Sequence, residues 1–198
     1  EYFREVNVDA NASNALKEWE SNIDTSDKEQ ATANFNFGDS DLSGTSTATI
    51  TQYEGYNVMG KIAIPKTNIE YPILEKVTKR SIEIAIAILY TTGDGLNQPG
   101  NTVLVGHNYR NGTFFSDNYK LSNGDIIKIT DNSGTTIEYE IYDIFETSPE
   151  DTEFMTRDTQ GRREISLSTS TDDVKKRLII LASEKGNMPK DIVEEEKE

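Results

Sequence analysis

The chain contains no cysteine. That excludes a disulfide framework and thiolate metal sites, and it leaves the redox compartment open. Histidine occurs once, at His107. Basic residues are scarce beside acidic ones: 20 Lys and Arg stand against 35 Asp and Glu, for a formal net charge of -15. Nucleic-acid phosphates are held by clustered Lys and Arg, so no nucleic acid is expected as a partner. The same balance disfavours adhesion of the domain body to anionic lipid, and its plainest role is solubility. Long apolar runs are also missing. The most apolar stretch, Ile82 to Tyr90, is interrupted by Glu83 and is far shorter than the roughly 20 residues that span a bilayer. The chain opens on Glu1 rather than Met, so a trimmed signal or anchor segment is expected ahead of it.

A chain of 198 residues forms one domain, with room for an appendage, and buries a core without disulfides or metal. Three segments are expected. Residues 1–52 read as an N-terminal helix followed by a Ser/Thr-rich arm. Within them Ala15 to Glu20 suits a short helix capped by Ser13 or Asn14, and Ser21 to Thr51 reads as a loosely packed linker. Residues 187–198 read as an acidic tail, frayed over Val193 to Glu198.

Residues 53–186 read as mostly strand. Met59 to Pro65 alternates with period two and stops at a proline, and Ile69 to Leu74 is a short strand. Thr78 to Tyr90 fits either a strand or a helix. Thr102 to Val105 is apolar throughout, and Thr113 to Leu121 suits one or two helical turns. Gly124 to Ile129 and Thr136 to Phe145 form a hairpin across Asp131-Asn132-Ser133-Gly134, with Ile137, Tyr139 and Ile141 on one face. Arg163 to Thr169 and Arg177 to Ala182 complete seven or eight short strands, which predicts a closed barrel or a sandwich.

Three residues stand at or just past strand ends: His107, Ser170 and Arg177. Strand ends gather at the rim of a barrel, where a rigid scaffold holds reactive groups. An imidazole to move protons, a hydroxyl and a guanidinium for a developing oxyanion make an acyl-transfer set. A lone histidine is also an ordinary surface or core residue. Arg110, in the turn after the histidine, reads as a solvated loop charge, with groove shaping as the alternative.

Val105-Gly106-His107-Asn108 resembles the histidine motif of sortases, and Ile165 to Ser170 resembles their Thr-Leu-x-Thr-Cys motif. Arg177 before an apolar strand matches the third element. Gly60 to Pro65 near the domain start, Phe114-Phe115-Ser116 through Leu121, and Gly124-Asp125 are similar to family stretches too. The resemblance covers roughly Tyr53 to Lys185. It implies a mostly β, closed barrel of about eight strands with short helices and an N-terminal helical arm. It also implies a cysteine transpeptidase at the outer face of a Gram-positive membrane, held there by an anchor absent from this chain. Such an enzyme cleaves a C-terminal Leu-Pro-any-Thr-Gly sorting signal of a surface protein or pilin. It then joins the acyl group to an amine on a cell-wall precursor or a pilin lysine. The implied catalytic positions are His107, Ser170 and Arg177, with Leu167, Ser168, Thr169 and Asn108 expected against the peptide.

The chain departs from the family at Ser166, where Thr is usual, and at Ser170, where Cys is required. A serine hydroxyl does not populate its anion beside an imidazolium as a thiol does. The chain as written is therefore expected to be inactive or nearly so. An engineered Cys-to-Ser replacement is the expected origin, and a natural serine variant is the alternative. The short Ser170 to Arg177 stretch argues against the long insert of class B sortases. The lack of an Asp-Pro-aromatic lid motif argues against a typical class C enzyme. No metal or cofactor is expected, although some sortases bind calcium. Gly38 to Leu42 is similar to a serine block of another hydrolase family, but no partner Asp-x-x-His follows. Asp39, Asp41, Ser43 and Gly44 match half of a calcium loop whose twelfth position is Ile50 rather than Glu. Two other readings stay open: a non-catalytic β-rich surface module, and a serine hydrolase using Ser170.

Overall fold

The computed structural model describes residues 2–32 and 50–195. The elements run α1 (Tyr2–Thr32), β1 (Gln52–Tyr53), β2 (Tyr56–Ile64), β3 (Ile69–Leu74), α2 (Lys79–Ile84), β4 (Ile86–Thr91), β5 (Gly100–Val105), β6 (Ile126–Asp131), β7 (Thr136–Thr147), β8 (Arg163–Ser170), β9 (Arg177–Glu184) and α3 (Lys190–Glu195). The strands make one sheet in the order β1-β2-β3-β4-β5-β8-β9-β7-β6, and a further β2–β6 pairing closes it. Strands β2 to β9 thus form an eight-stranded barrel, with β1 as a short outlier. Closure leaves β2 to β9 without a free edge.

Local chemistry explains the elements. In β2, Val58, Gly60, Ile62 and Ile64 point inward while the residues between them are only partly covered. That strand ends at Pro65, which opens a 3-10 turn closed by Asn68 in the left-handed region. Thr78 to Tyr90, ambiguous by pattern, divides in two. Thr78 and Ser81 cap each other reciprocally, with Ser81 N–H donating to Thr78 Oγ1 at 2.9 Å and Thr78 N–H to Ser81 Oγ at 2.7 Å. This starts α2, and β4 follows at Ile86. Within Thr113 to Leu121 only a 3-10 turn at Asn118–Lys120 forms. Strand β8 is buried on both faces from Glu164 to Thr169: β5 and β9 take its edges, one face looks into the core, and Arg157 of the β7–β8 connection bonds Ser166 on the other. There Ser166 Oγ donates to Asn101 Oδ1 at 2.9 Å and accepts from Arg157 Nη1 at 2.7 Å. Position 166 is therefore filled by a hydroxyl whose hydrogen bonds are met.

The N-terminal expectation needs correction. The helix spans Tyr2–Thr32 rather than Ala15 to Glu20, so Ser13 and Asn14 are interior residues and not caps, and residues 21–32 are helical rather than linker. No proline or glycine interrupts 2–32. Ala12, Ala15, Leu16 and Trp19 recur at the spacing of one helix face and join the barrel's own core cluster. Trp19 Nε1 donates to Asn132 Oδ1 at 2.8 Å, and Lys61 of β2 pairs with Glu20 at 2.9 Å. The end of the arm is also fixed, since Thr51 accepts from Asn22 Nδ2 at 2.5 Å. At the other terminus Lys190–Glu195 is a short helix. Residues 33–49 lie outside the described residues, and with them the stretch Gly38 to Leu42 and the calcium-loop candidates Asp39, Asp41, Ser43 and Gly44. Residues 196–198 lie outside them as well.

Candidate active site

The strand register brings the three strand-end residues together. Strands β5 and β8 run parallel, with Val105 opposite Ser168, so His107, two residues on, stands beside Ser170. Strands β8 and β9 run antiparallel and pair Ser170 directly with Arg177. Histidine, hydroxyl and guanidinium therefore sit side by side at one rim of the barrel, each partly exposed. Arg177 Nη1 donates to Ser170 Oγ.

Gly106 explains how the chain leaves β5. An added Cβ there would stand 2.5 Å from Ile86 Cδ1 and 2.7 Å from Phe115 Cδ2. Only glycine lets the Phe115 ring pack at that point. The turn is fastened by Gly106 N–H donating to Ser168 O at 3.3 Å and by Phe115 N–H donating to His107 O at 3.0 Å. Burial pushes the His107 imidazole below its ordinary 6.5. Glu83 opposes that shift and Arg177 adds to it. Burial thus favours the neutral ring, the form that accepts a proton. Its face stacks on Tyr109, centroids 4.8 Å apart.

The expected peptide-contacting residues divide. Leu167 is fully buried in the core cluster and presents no surface to a ligand, so it is a packing residue. Ser168 and Thr169 are buried as well. The Thr169 hydroxyl has no hydrogen-bond partner among the described residues. Asn108 is committed elsewhere. Its Nδ2 donates to Ser170 O at 3.1 Å and to Asp172 Oδ1 at 2.8 Å, while its Oδ1 accepts from Arg110 N–H at 3.0 Å. Arg110 Nη2 in turn donates to Asp172 O, and Arg110 is exposed, a solvated loop charge with one partner across the loops. Asn108 and Arg110 tie the histidine loop to the loop between β8 and β9. Two residues of this arrangement, Tyr109 and Asp172, were not singled out by pattern. The only sequence signal for either is its place two positions after His107 or Ser170.

Chemically, the rim pairs a neutral base with a hydroxyl held by a cation. A serine protease-like triad needs a carboxylate on the far nitrogen of the imidazole. Among the described residues no carboxylate hydrogen-bonds His107. Among the same residues no three carboxylate or imidazole groups gather around a metal-sized space.

The sortase domain family model matches residues 62–185. The chain belongs to the sortase family. It is 32% identical over 126 residues to Sortase A of Bacillus anthracis, a match that spans 62% of this chain and 58% of that protein's length. Among solved structures it is similar to a Sortase D5 transpeptidase from Clostridium perfringens, with a TM-score of 0.67 and 25% identity over 89% of this chain and 99% of the other. It is similar also to sortase C-1 from Actinomyces oris, with a TM-score of 0.60 and 25% identity over 84% and 98% of the two chains. In this sortase the rim assembled from β5, β8 and β9 lies wholly inside the matched region.

Proposed function

We propose that this sortase is a transpeptidase whose nucleophile position is Ser170, and that the chain as written is inactive because that position lacks a thiol. The supporting observation is the alignment of His107, Ser170 and Arg177 across three adjacent strand ends, with Arg177 bonded to Ser170 Oγ. A thiol at position 170 would pass its proton to the neutral His107, the thiolate so formed would attack the threonine carbonyl of a Leu-Pro-any-Thr-Gly sorting signal, and Arg177 would hold the oxyanion that forms. Collapse breaks the Thr–Gly bond, leaves a thioester and releases the glycine amine, which takes its proton from His107. An acceptor amine from a cell-wall precursor or a pilin lysine then attacks the thioester, frees the thiolate and returns a proton to His107. The reaction needs no cofactor. The substrates are surface proteins or pilins, which places the enzyme at the outer face of a Gram-positive membrane. A serine hydroxyl is far less acidic than a thiol, and among the described residues no carboxylate orients His107 to serve as a strong base.

The test is a transpeptidation assay on the Ser170→Cys protein beside the chain as given, with a panel of sorting-signal peptides and an amine acceptor, read by mass spectrometry. Ligation only by the Ser170→Cys protein is the expected result. No product across the panel from a folded Ser170→Cys protein would remove the transpeptidase reading and favour a binding module. Fluorophosphonate labelling of the chain as given at Ser170 would instead identify a serine hydrolase.

A further inference from the structure

Tyr109 is 45% exposed, yet its ring lies on the His107 imidazole, with centroids 4.8 Å apart and planes 26° from parallel. A ring that exposed gains little from burial, so other contacts must set its position. They run inward in series. Tyr109 meets Phe114 edge-to-face at 5.9 Å and 68°, and Phe114 stacks on Tyr71 at 4.7 Å and 22°. Phe114 is buried and held at φ 50, a left-handed conformation that is unfavourable for a bulky side chain. That backbone is captured by the Tyr71 hydroxyl, which accepts from Phe114 N–H at 3.1 Å and donates to Asp9 Oδ1 of α1 at 3.0 Å. The series therefore starts at the rim of the barrel and ends on the N-terminal helix.

We propose that Tyr109 is a positioning residue for His107, anchored through Phe114 and Tyr71 to Asp9 of α1. The inference rests on the reading of His107 as the group that carries the proton. An imidazole turns broadly about its terminal torsion, and a stacked face removes much of that freedom. The π-face of a tyrosine also favours a cation beside it. It thereby offsets burial and the nearby Arg177, which both disfavour the imidazolium, and acts in the same sense as Glu83.

Because His107 is the only histidine, its ring signals in NMR titrate without overlap, and the chain as given serves without any activity. Tyr109→Leu keeps an apolar side chain but removes the π-face. The His107 pKa is expected to fall by roughly half a unit, with Tyr109→Phe restoring the parent titration. Tyr71→Phe, which removes the hydroxyl joining Phe114 to Asp9, should move it in the same direction by a smaller amount. In the Ser170→Cys background, Tyr109→Leu should lower kcat about tenfold, more than it raises KM, and shift the His107 limb of the pH profile by the same half unit. A parent-like His107 titration in Tyr109→Leu, with the melting temperature kept, overturns the proposal. So does a titration in Tyr109→Phe that follows Tyr109→Leu. If Ser170→Cys itself never turns over, the transpeptidase reading fails, and the titrations still decide the stacking role.

Discussion

Replacing Gly106 by alanine adds one methyl group immediately before the histidine. Its Cβ would stand 2.5 Å from Ile86 Cδ1, 2.7 Å from Phe115 Cδ2 and 2.8 Å from Phe115 Cγ. Carbon atoms attract at about 3.5–4.0 Å, so each contact is short by roughly 0.7–1.5 Å. Ile86 and Phe115 are both fully buried, and the Phe115 N–H is tied to the His107 carbonyl at 3.0 Å. The ring therefore moves only by dragging the histidine loop. Overpacking of this kind costs about 1–3 kcal/mol. At about 2–4 °C per kcal/mol for a chain of this size, the melting temperature falls by roughly 2–12 °C. A displacement of His107 by about 1 Å costs on the order of 10² in rate. Calorimetry on the chain as given measures the first effect, and transpeptidation in the Ser170→Cys background measures the second. Adding Phe115→Leu should return part of both losses, with a coupling of about 1 kcal/mol. The reasoning is refuted if Gly106→Ala melts with the parent and, beside Ser170→Cys, turns over at the parental rate.

Three further outcomes are expected. Trp19→Ala empties a core site on α1 and strands Asn132, so urea unfolding should show a loss of about 3–5 kcal/mol; a loss under about 1 kcal/mol would mean that α1 is a loose appendage. Asn108→Ala cuts the two bonds to Ser170 O and Asp172, and in the Ser170→Cys background kcat should fall on the order of tenfold with KM little changed, whereas a residue touching substrate would raise KM. Burial holds the His107 pKa below its unfolded 6.5, so the unfolded chain binds the proton at higher pH than the folded one. Its contribution to stability is complete above that value and is lost as pH falls through the lower folded value. Urea midpoints at about pH 5 and about pH 7.5 should accordingly fall less with acid in His107→Asn than in the parent.

The parts legible in the sequence are those set by short-range chemistry. Alternation in Met59 to Pro65, the turn at Asp131 to Gly134 and the apolar run before Gly106 each state a local preference, and each forms the element that preference suggests. His107, Ser170 and Arg177 stood out through the resemblance to sortase motifs, and strand limits added only that each lies at or just past a strand end. What stayed hidden depends on tertiary partners. Residues 21–32 carry weak helix formers, and α1 is held instead by Ala12, Ala15, Leu16 and Trp19 against the barrel. Leu167, like Ile165, lies on the face of β8 that looks into the barrel, a placement that no motif states. Asn108 turns toward Asp172, and Tyr109 toward His107, through loop geometry without a period to read.

The central claim is that position 170 carries the nucleophile and that only the missing thiol silences the chain. Intact-mass measurement of the Ser170→Cys protein, incubated with a sorting-signal peptide and no acceptor amine, tests it most directly. The account predicts an acyl adduct on that side chain of the mass of the peptide up to its threonine, discharged by hydroxylamine and absent from the chain as given. A folded Ser170→Cys protein that never acquires the adduct across a broad peptide panel, or an equal adduct on the unmodified chain, would contradict it.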